Sequence, residues 1–309
     1  MADVLVAIPS YRRPQGLARL LSALEKLDTK LQVEILVADN DADGCEGIGL
    51  CNDLRAANYR WPLHSVIAAE RGIAQARNAL VRYALNHSDA PLIAMLDDDE
   101  WPDRHWIDAF VDVQKQTRAD ALHGAVLREF DVEPGAWAAR CQGVAPLRHM
   151  SGPVEMIHGT SNVLFTRACL QRLPFPVFDP EFALTGGEDK DFFTRLHRSG
   201  ARFAWADEAI AFAHVPESRS NLRWALQRAY RVGNSDMRVL LKHERTSAVL
   251  LVEGAKIAGA IMVSPAQIVI HALAPASRTA ALCRLWRAAG KIAAICGEHY
   301  NEYATVHGG

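Results

Sequence analysis

No uninterrupted apolar run in this sequence reaches the roughly 18–20 residues needed to cross a bilayer. The most apolar stretch, residues 247–273, carries Glu253, Lys256 and Pro265, so it does not read as a normal transmembrane helix. There is also no surplus of charge. The formal net charge is −2, which argues against a nucleic-acid partner, because general nucleic-acid binders carry a clear basic excess. No two of the cysteines Cys45, Cys51, Cys141, Cys169, Cys283 and Cys296 are spaced as CxxC. Zinc and dithiol redox motifs need closer spacing, so reduced thiols in a cytoplasmic protein are expected. The start of the chain lacks a basic segment followed by a long apolar one, so no signal peptide is expected. Internal repeats and low-complexity tracts are missing too. What is present is a chain of 309 residues, 50% hydrophobic. That suffices for one large domain with an appendage, or for two modest domains.

Strand and helix patterns alternate through the first half. Short apolar runs at 4–8, 33–37, 63–68 and 92–96 predict buried strands. Between them, Leu17, Leu20, Leu21 and Leu24 recur at helical spacing, Gly44, Gly47 and Gly49 predict a loop, and a helix is expected over 73–85. Trp106, Ile107, Phe110 and Val111 make the following helix amphipathic. This order predicts an α/β fold with a mainly parallel sheet covered by helices. Later strands are expected at 121–128 and 159–165, a helix around Phe192, Phe193 and Leu196, and a long helix over 222–241. The remainder reads as helical, broken near Pro265 and Pro275.

In such sheets ligands bind beyond the carboxyl ends of the strands. Three polar groups fall there: Ser10-Tyr11, Asp39-Asn40 and Asp97-Asp98-Asp99. Adjacent carboxylates repel one another unless a cation sits among them, and oxygen donors suit Mg²⁺ or Mn²⁺. The same residues would also serve as a solvated cap on the next helix. Gly186-Gly187-Glu188-Asp189 offers a carboxylate after a glycine turn, fit either for a general base or for helix capping. Gly72 precedes a helix whose free N–H groups suit a phosphate. Arg77, on that helix, reads alone as a surface charge or a ligand contact. His214, after an apolar run, is either structural or a metal ligand. On the long helix Arg228, Arg231, Ser235 and Arg238 form one stripe, opposite Leu222, Ala225, Leu226 and Ala229. That stripe faces either solvent or an anion such as a pyrophosphate.

Taken together, these motifs resemble the inverting family-2 glycosyltransferases of the GT-A fold. Pro9-Ser10-Tyr11-Arg12-Arg13 is similar to that family's first nucleotide-binding turn, and Asp39-Asn40 to its base-contacting acidic position. Arg71-Gly72 through Arg77-Asn78 resembles its NxGxxxARN stretch, with Arg71 where Asn is usual. Asp97-Asp98-Asp99 resembles the DxD motif and Gly187-Glu188-Asp189 the ED motif. The resemblance covers residues 4–240. The segment from Gly290 to Gly297, with Tyr300 and Tyr303, is similar to bacterial exopolysaccharide glycosyltransferases of the succinoglycan-assembly type.

The resemblance implies a catalytic domain over 1–240 and a helical appendage over 241–309. It implies a nucleotide-sugar site of Pro9, Ser10, Tyr11, Arg13, Asp39, Asn40, Gly72, Arg77, Asp97, Asp98 and Asn162. Mn²⁺ or Mg²⁺ would sit on Asp99 and His214, and Asp189 with Glu188 would be catalytic. A sugar would move, with inversion, from a UDP-linked donor to a hydroxyl of a glycan or lipid-linked saccharide during surface polysaccharide synthesis. Two alternatives remain at this point: a nucleotide-sugar-binding protein without transfer, and a nucleotidyltransferase. Further on, Leu282, Leu285, Trp286, Ala289 and Ile292 form an apolar helix face, with Arg284, Arg287 and Lys291 elsewhere on the helix. Such a helix either packs on the catalytic domain or docks the chain peripherally on the inner face of the cell membrane.

Overall fold

The computed structural model describes residues 2–300 apart from 142, 143, 145 and 147. Strand β1 (Val4–Ser10) is buried along its whole length, as expected of a strand covered on both faces. Its side chains alternate between two cores. Val4, Val6 and Ile8 meet Leu17, Leu20, Leu21 and Leu24 of α1 (Pro14–Glu25) and Trp106, Ile107 and Phe110 of α4 (Trp106–Thr117). Leu5 and Ala7 meet Leu80, Val81 and Ala84 of α3 (Ile73–His87) and Phe192 and Phe193 of α6 (Glu188–Arg198). The period of two along the strand thus produces a three-layer sandwich, with one helix layer on each side of the sheet.

The first half of the sheet is parallel: β1 lies between β2 (Val33–Asp39) and β4 (Leu92–Met95), and β3 (Leu63–Ile67) pairs with β2. The second half is mixed. Strand β8 (Val163–Thr166) runs antiparallel to β4 and to β6 (Ala121–Phe130), and β9 (Phe203–Val215) is parallel to β6. Two short strands, β5 (Glu100–Pro102) and β7 (Gly152–Val154), pair antiparallel with β9. The sheet order is β3-β2-β1-β4-β8-β6-β9-β5. The carboxyl ends of β1, β2 and β4 therefore open on one edge, where Ser10, Asp39 and Asp97 follow.

Three local expectations are corrected. The glycine-marked loop at 44–49 is largely helix, α2 (Glu46–Ala56). Gly47 is required there by packing, since a Cβ would stand 2.9 Å from Asp39 Oδ2. The strand expected from 159 begins only at Val163, because Asn162 takes a left-handed conformation (φ 48°) that ends the ladder. Pro265 does not break its segment. It lies inside α8 (Ser247–Ile270), while Pro275 opens α9 (Pro275–Ile295) at its first turn, where a missing N–H costs nothing.

The long helix α7 (Leu222–His243) crosses α9 at close range. A Cβ on Gly233 would fall 2.0 Å from the Arg287 carbonyl oxygen, and one on Gly290 would fall 2.0 Å from that of Tyr230. Asn234 bridges the crossing, its Nδ2 donating to the carbonyls of Gly290 (3.3 Å) and Glu298 (2.8 Å). Small residues of α9, among them Ala281, Ala288, Gly290 and Ala294, make its buried face. The larger face, read from sequence as either packing or membrane-docking, is half-buried at Leu282 and Leu285 and exposed at Trp286 and Ile292. Tyr303 and residues 301–309 of the expected appendage lie outside the described residues.

Candidate active site

A cleft of about 270 Å³ opens at the ends of β1, β2 and β4. Its floor is the β1–α1 turn. The Ser10 hydroxyl donates to Asp98 Oδ2 at 3.1 Å, and the Tyr11 N–H donates to the same oxygen at 3.2 Å. Arg13 Nη1 donates to Asp98 Oδ1 at 3.0 Å and to Asp99 Oδ2 at 3.1 Å. Burial pushes the Asp98 carboxyl up to about 7, with Asp99 adding to the shift and Arg13 opposing it. Burial likewise drives Glu100 well above the usual carboxylate range, reinforced by Asp97 and Asp99. Arg13 and Arg77 partly offset the charge of this cluster, and among the described residues no three Asp, Glu, His or Cys side chains converge as a metal site.

One side wall is α3. Asn40 Oδ1 accepts the Gly72 N–H at 2.7 Å, and its Nδ2 donates to the carbonyls of Ala68 and Glu70. Asn40 therefore fixes the turn that opens α3. Gly72 has φ 144°, and a Cβ there would stand 2.7 Å from that of Ala183, so only glycine fits. Arg71 and Arg12 both lie over the Tyr11 ring, at 5.1 and 5.2 Å from its centre.

Arg77 is 5% exposed and is no surface charge. Its guanidinium donates to Asp97 Oδ1 at 3.1 Å and also pairs with Glu188. The neighbouring Asn78 clasps Phe178 through both its N–H (2.8 Å) and its carbonyl (2.7 Å). Arg77 thus ties the strand-end carboxylates to the first residue of α6, while Asn78 pins the loop at Phe178 to α3. Glu188 is pushed up to about 7 by burial, then by Asp189, against Arg77. Its Oε2 is buried without a hydrogen-bond partner.

The remaining wall comes from the start of α7 and the turn before it. Arg219, Trp224, Arg228 and Arg231 all line the cleft, and Arg219 Nη1 reaches Asp99 Oδ2 at 3.4 Å. The basic stripe of α7 faces the catalytic half, and it divides in function. Arg228 and Arg231 reach the cleft. Ser235 donates to the Gly186 carbonyl at 3.2 Å, and Arg238 bonds Thr185 and the Glu181 carbonyl. Arg219 and Trp224 went unsingled in the sequence. Their only signal was their position just beyond β9, ahead of the arginine stripe.

The structure gathers Pro9, Ser10, Tyr11, Arg13, Asn40, Gly72, Arg77, Asp97, Asp98 and Asp99 on one cleft. Glu188 joins them through Arg77. Asp189, beside it, is half-buried at the start of α6 and accepts the Lys190 N–H at 2.7 Å. Three expected residues lie elsewhere. Asp39 is 2% exposed and accepts the N–H groups of Asp41 (3.0 Å) and Ile48 (3.1 Å), so its carboxylate anchors α2. Asn162 is wholly buried, accepting from Trp106 Nε1 (2.6 Å) and donating to the carbonyls of Ala125 (2.7 Å) and Ala209 (2.9 Å). It is a strut in the sheet. His214 meets Asp99 only through the backbone, its N–H donating to the Asp99 carbonyl at 3.0 Å, while its ring bonds Asp131 at 2.7 Å.

The chain is 29% identical over 237 residues to the succinoglycan biosynthesis protein ExoM of Rhizobium meliloti (strain 1021), across 76% of this chain and 74% of that one. In fold it is similar to the mannosyltransferase PcManGT of Pyrobaculum calidifontis, solved with GDP-Man and Mn²⁺. The TM-score is 0.64 at 17% identity, over 96% of this chain and 88% of that one. It is also similar to TarS 1-349 of S. aureus in complex with UDP-GlcNAc, with a TM-score of 0.51 at 14% identity, over 97% and 93%. The sequence pattern described as glycosyl transferase family 2 matches residues 5–178, from β1 through the loop that Asn78 clasps. The chain belongs to glycosyl transferase family 2, and its sheet, with the C-terminal helices, is a GT-A-like fold.

Proposed function

We propose that this glycosyltransferase moves a sugar, with inversion, from a nucleoside-diphosphate donor to a hydroxyl of a saccharide acceptor in bacterial surface polysaccharide assembly. The observation that carries the reading is the Arg77 bridge. It joins Asp97, at the strand-end cluster, to Glu188, which adjoins Asp189, the residue read as the base by resemblance. The donor is read as UDP-linked by resemblance, and TarS is solved with a UDP-sugar. The polysaccharide setting rests on the similarity to ExoM, and the acceptor is read as a glycan or a lipid-linked saccharide.

The oxygen donors of Asp97 and Asp99 fit a hard divalent cation such as Mn²⁺ or Mg²⁺. When bound, such a cation stabilises the charge of a departing diphosphate. Arg13 and Arg219 hold the Asp99 carboxylate in place. Arg228 and Arg231 add positive charge to the opposite wall, where an anionic leaving group is favoured in a low-dielectric cleft. Asn40 and Gly72 fix the turn that sets the α3 wall of the cleft, the Gly72 N–H going to Asn40 and the Ile73 N–H to the Ala183 carbonyl. Asp189 takes the acceptor hydroxyl's proton as its oxygen forms the new glycosidic bond, and the sugar–phosphate bond breaks with its electrons leaving on the diphosphate. Buried Glu188 fixes Arg77 and orients the turn that carries Asp189. His214 stands as a metal ligand only if its ring leaves Asp131.

The test is a transfer assay over a panel of nucleotide-sugars, with and without Mn²⁺. Asp189→Asn is expected to abolish transfer while the nucleotide still binds by calorimetry. Near-native turnover in that variant overturns the base assignment. Equal donor affinity with and without Mn²⁺ in the unaltered protein overturns the metal assignment.

A further inference from the structure

The helical hairpin formed by α8 and α9 leaves an extended apolar surface uncovered. Ile261, Met262, Val269, Ile270 and Leu273 are all well exposed, Leu273 at 98%. Along the most apolar stretch of 18 consecutive residues in α8, only 17% are buried. Single exposed aliphatics are ordinary on a protein surface, but a contiguous patch on one hairpin marks a docking site.

The distribution of charge identifies the occupant. The two charged side chains of α8, Glu253 and Lys256, lie in its first half. Glu253 is held there by Lys256 at 2.8 Å and by Lys291 of α9 at 2.6 Å. From residue 257 to residue 277 the sequence carries no Asp, Glu, Lys or Arg. On α9 every charged residue is basic: Arg278, Arg284, Arg287 and Lys291. Arg287 and Lys291 are consumed by Asp236 and Glu253. Arg278 and Arg284, on the half of α9 nearer the turn, bond neutral partners, the Ala272 carbonyl and the Gln267 amide. Arg140 joins them through the Ser277 hydroxyl. An apolar tip ringed by arginines whose hydrogen bonds go to neutral groups is complementary to an anionic lipid surface: acyl chains for the tip, headgroup phosphates for the arginines.

We propose that the tip of the α8–α9 hairpin docks this enzyme on an anionic bilayer, entering one leaflet without crossing it. Helix α8 is long enough to span, but it stays fastened to α9 through Glu253 and Lys291 and to α7 through Ile257, which packs with Met237, and Ser264 is buried. Its partner α9 carries four cations and cannot accompany it through hydrocarbon. The sequence offered α9 as either a packing or a membrane-facing helix. The structure moves the apolar contact onto α8 and the turn, and leaves to α9 the headgroup contact.

Flotation of the full chain with vesicles tests this, using phosphatidylcholine alone and phosphatidylcholine mixed with phosphatidylglycerol. The unaltered protein is expected to float with the mixed vesicles and to be released as salt is raised. Ile270→Asp combined with Leu273→Asp should lose flotation on both. Arg278→Glu combined with Arg284→Glu should lose the preference for the anionic vesicles. These positions are remote from the cleft, so nucleotide affinity and thermal midpoint should match the unaltered chain, confirming that each variant is folded. Equal flotation of the Ile270/Leu273 variant and the unaltered protein overturns the proposal. So does an unaltered protein that stays in solution and, by sedimentation, self-associates through this tip. Vesicle binding is read without any transfer reaction, so it stands or falls separately from the reaction proposed above.

Discussion

Arg77 is the residue on which two distant parts of the chain depend. Breaking a buried pair by removing one partner leaves an uncompensated charge and costs about 3–5 kcal/mol. Arg77→Met should therefore lower stability by that order in urea unfolding, because it strands Glu188 and, more weakly, the half-exposed Asp97. Adding Glu188→Gln should restore part of the loss. If the double variant is no more stable than the single one, the Arg77–Glu188 pair is not the source. The raised carboxylates give a second, pH-dependent signature. In the unfolded chain Asp98 and Glu188 titrate near their ordinary values of 3.8 and 4.5, whereas burial in the fold pushes both up to about 7. Below the lower values both states are protonated and nothing is lost. As pH rises from there toward about 7, the unfolded chain's carboxyls ionise while the buried ones keep their protons, so stability falls. The thermal midpoint of metal-free protein should decline across that window. Asp98→Asn should flatten part of the decline, and Mn²⁺ should reduce the contribution of Asp98 more than that of Glu188. A flat metal-free profile would contradict the buried-carboxylate account. Asn162 belongs to a different category. Asn162→Ala removes three hydrogen bonds and puts a Cβ-bearing residue without a compensating side chain at φ 48°. A loss of about 2–4 kcal/mol is expected, with nucleotide affinity of the folded fraction unchanged; weakened affinity at constant stability would return Asn162 to the binding site.

At the scale of elements, the α7–α9 crossing is decided by two glycines rather than by the large apolar residues. In an isolated helix Gly→Ala gains about 1 kcal/mol. At Gly290 the added Cβ would press on the Tyr230 carbonyl, and overpacking of this kind costs about 1–3 kcal/mol. Gly290→Ala should therefore destabilise the protein, and faster proteolysis within residues 247–298 should accompany it; a stabilised variant would mean the helices slide apart freely. This contact also shows where sequence reasoning reaches its limit. The strands β1 to β4 and helices α1, α3 and α4 were legible because burial on fixed faces imposes periods of 2 and 3.6 on apolar residues. Helix α2 was not, because Gly47 and Gly49 look like a loop until Asp39 is seen packed against Gly47. Nor was the true role of Arg77, since a charge among alanines reads as solvated unless its partners, at positions 97 and 188, are known to converge. The strand-end carboxylates were legible from topology alone, whereas Arg219 and Trp224 required the fold to bring the segment after β9 back across the cleft. Asn162 misled for the same reason in reverse: a polar residue beside a strand looks available until its three partners are seen.

For the molecule as a whole, the question is whether residues beyond 240 form a separate unit. Helix α7 spans that boundary and serves both sides of it. Toward the catalytic half it places Arg228 and Arg231 on the cleft and holds the glycine turn through Ser235 and Arg238. Toward the C-terminal hairpin it presents Met237, packed with Ile257, Ala288 and Ala294, and Asp236, paired with Arg287. Asp236 also pairs with Lys190, next to Asp189. A chain ending after residue 245 would keep every cleft residue yet uncover the Met237 face of α7 and leave Asp236 with one cation instead of two. We expect that truncation to lower the thermal midpoint and to weaken nucleotide binding by roughly tenfold, about 1.4 kcal/mol, because α7 loses the support that fixes its arginines. Calorimetric titration of UDP into both chains measures this directly. Native affinity together with a native midpoint would mean that the hairpin is an independent attachment. A coupled loss would mean that the helices which dock the enzyme also brace its active cleft.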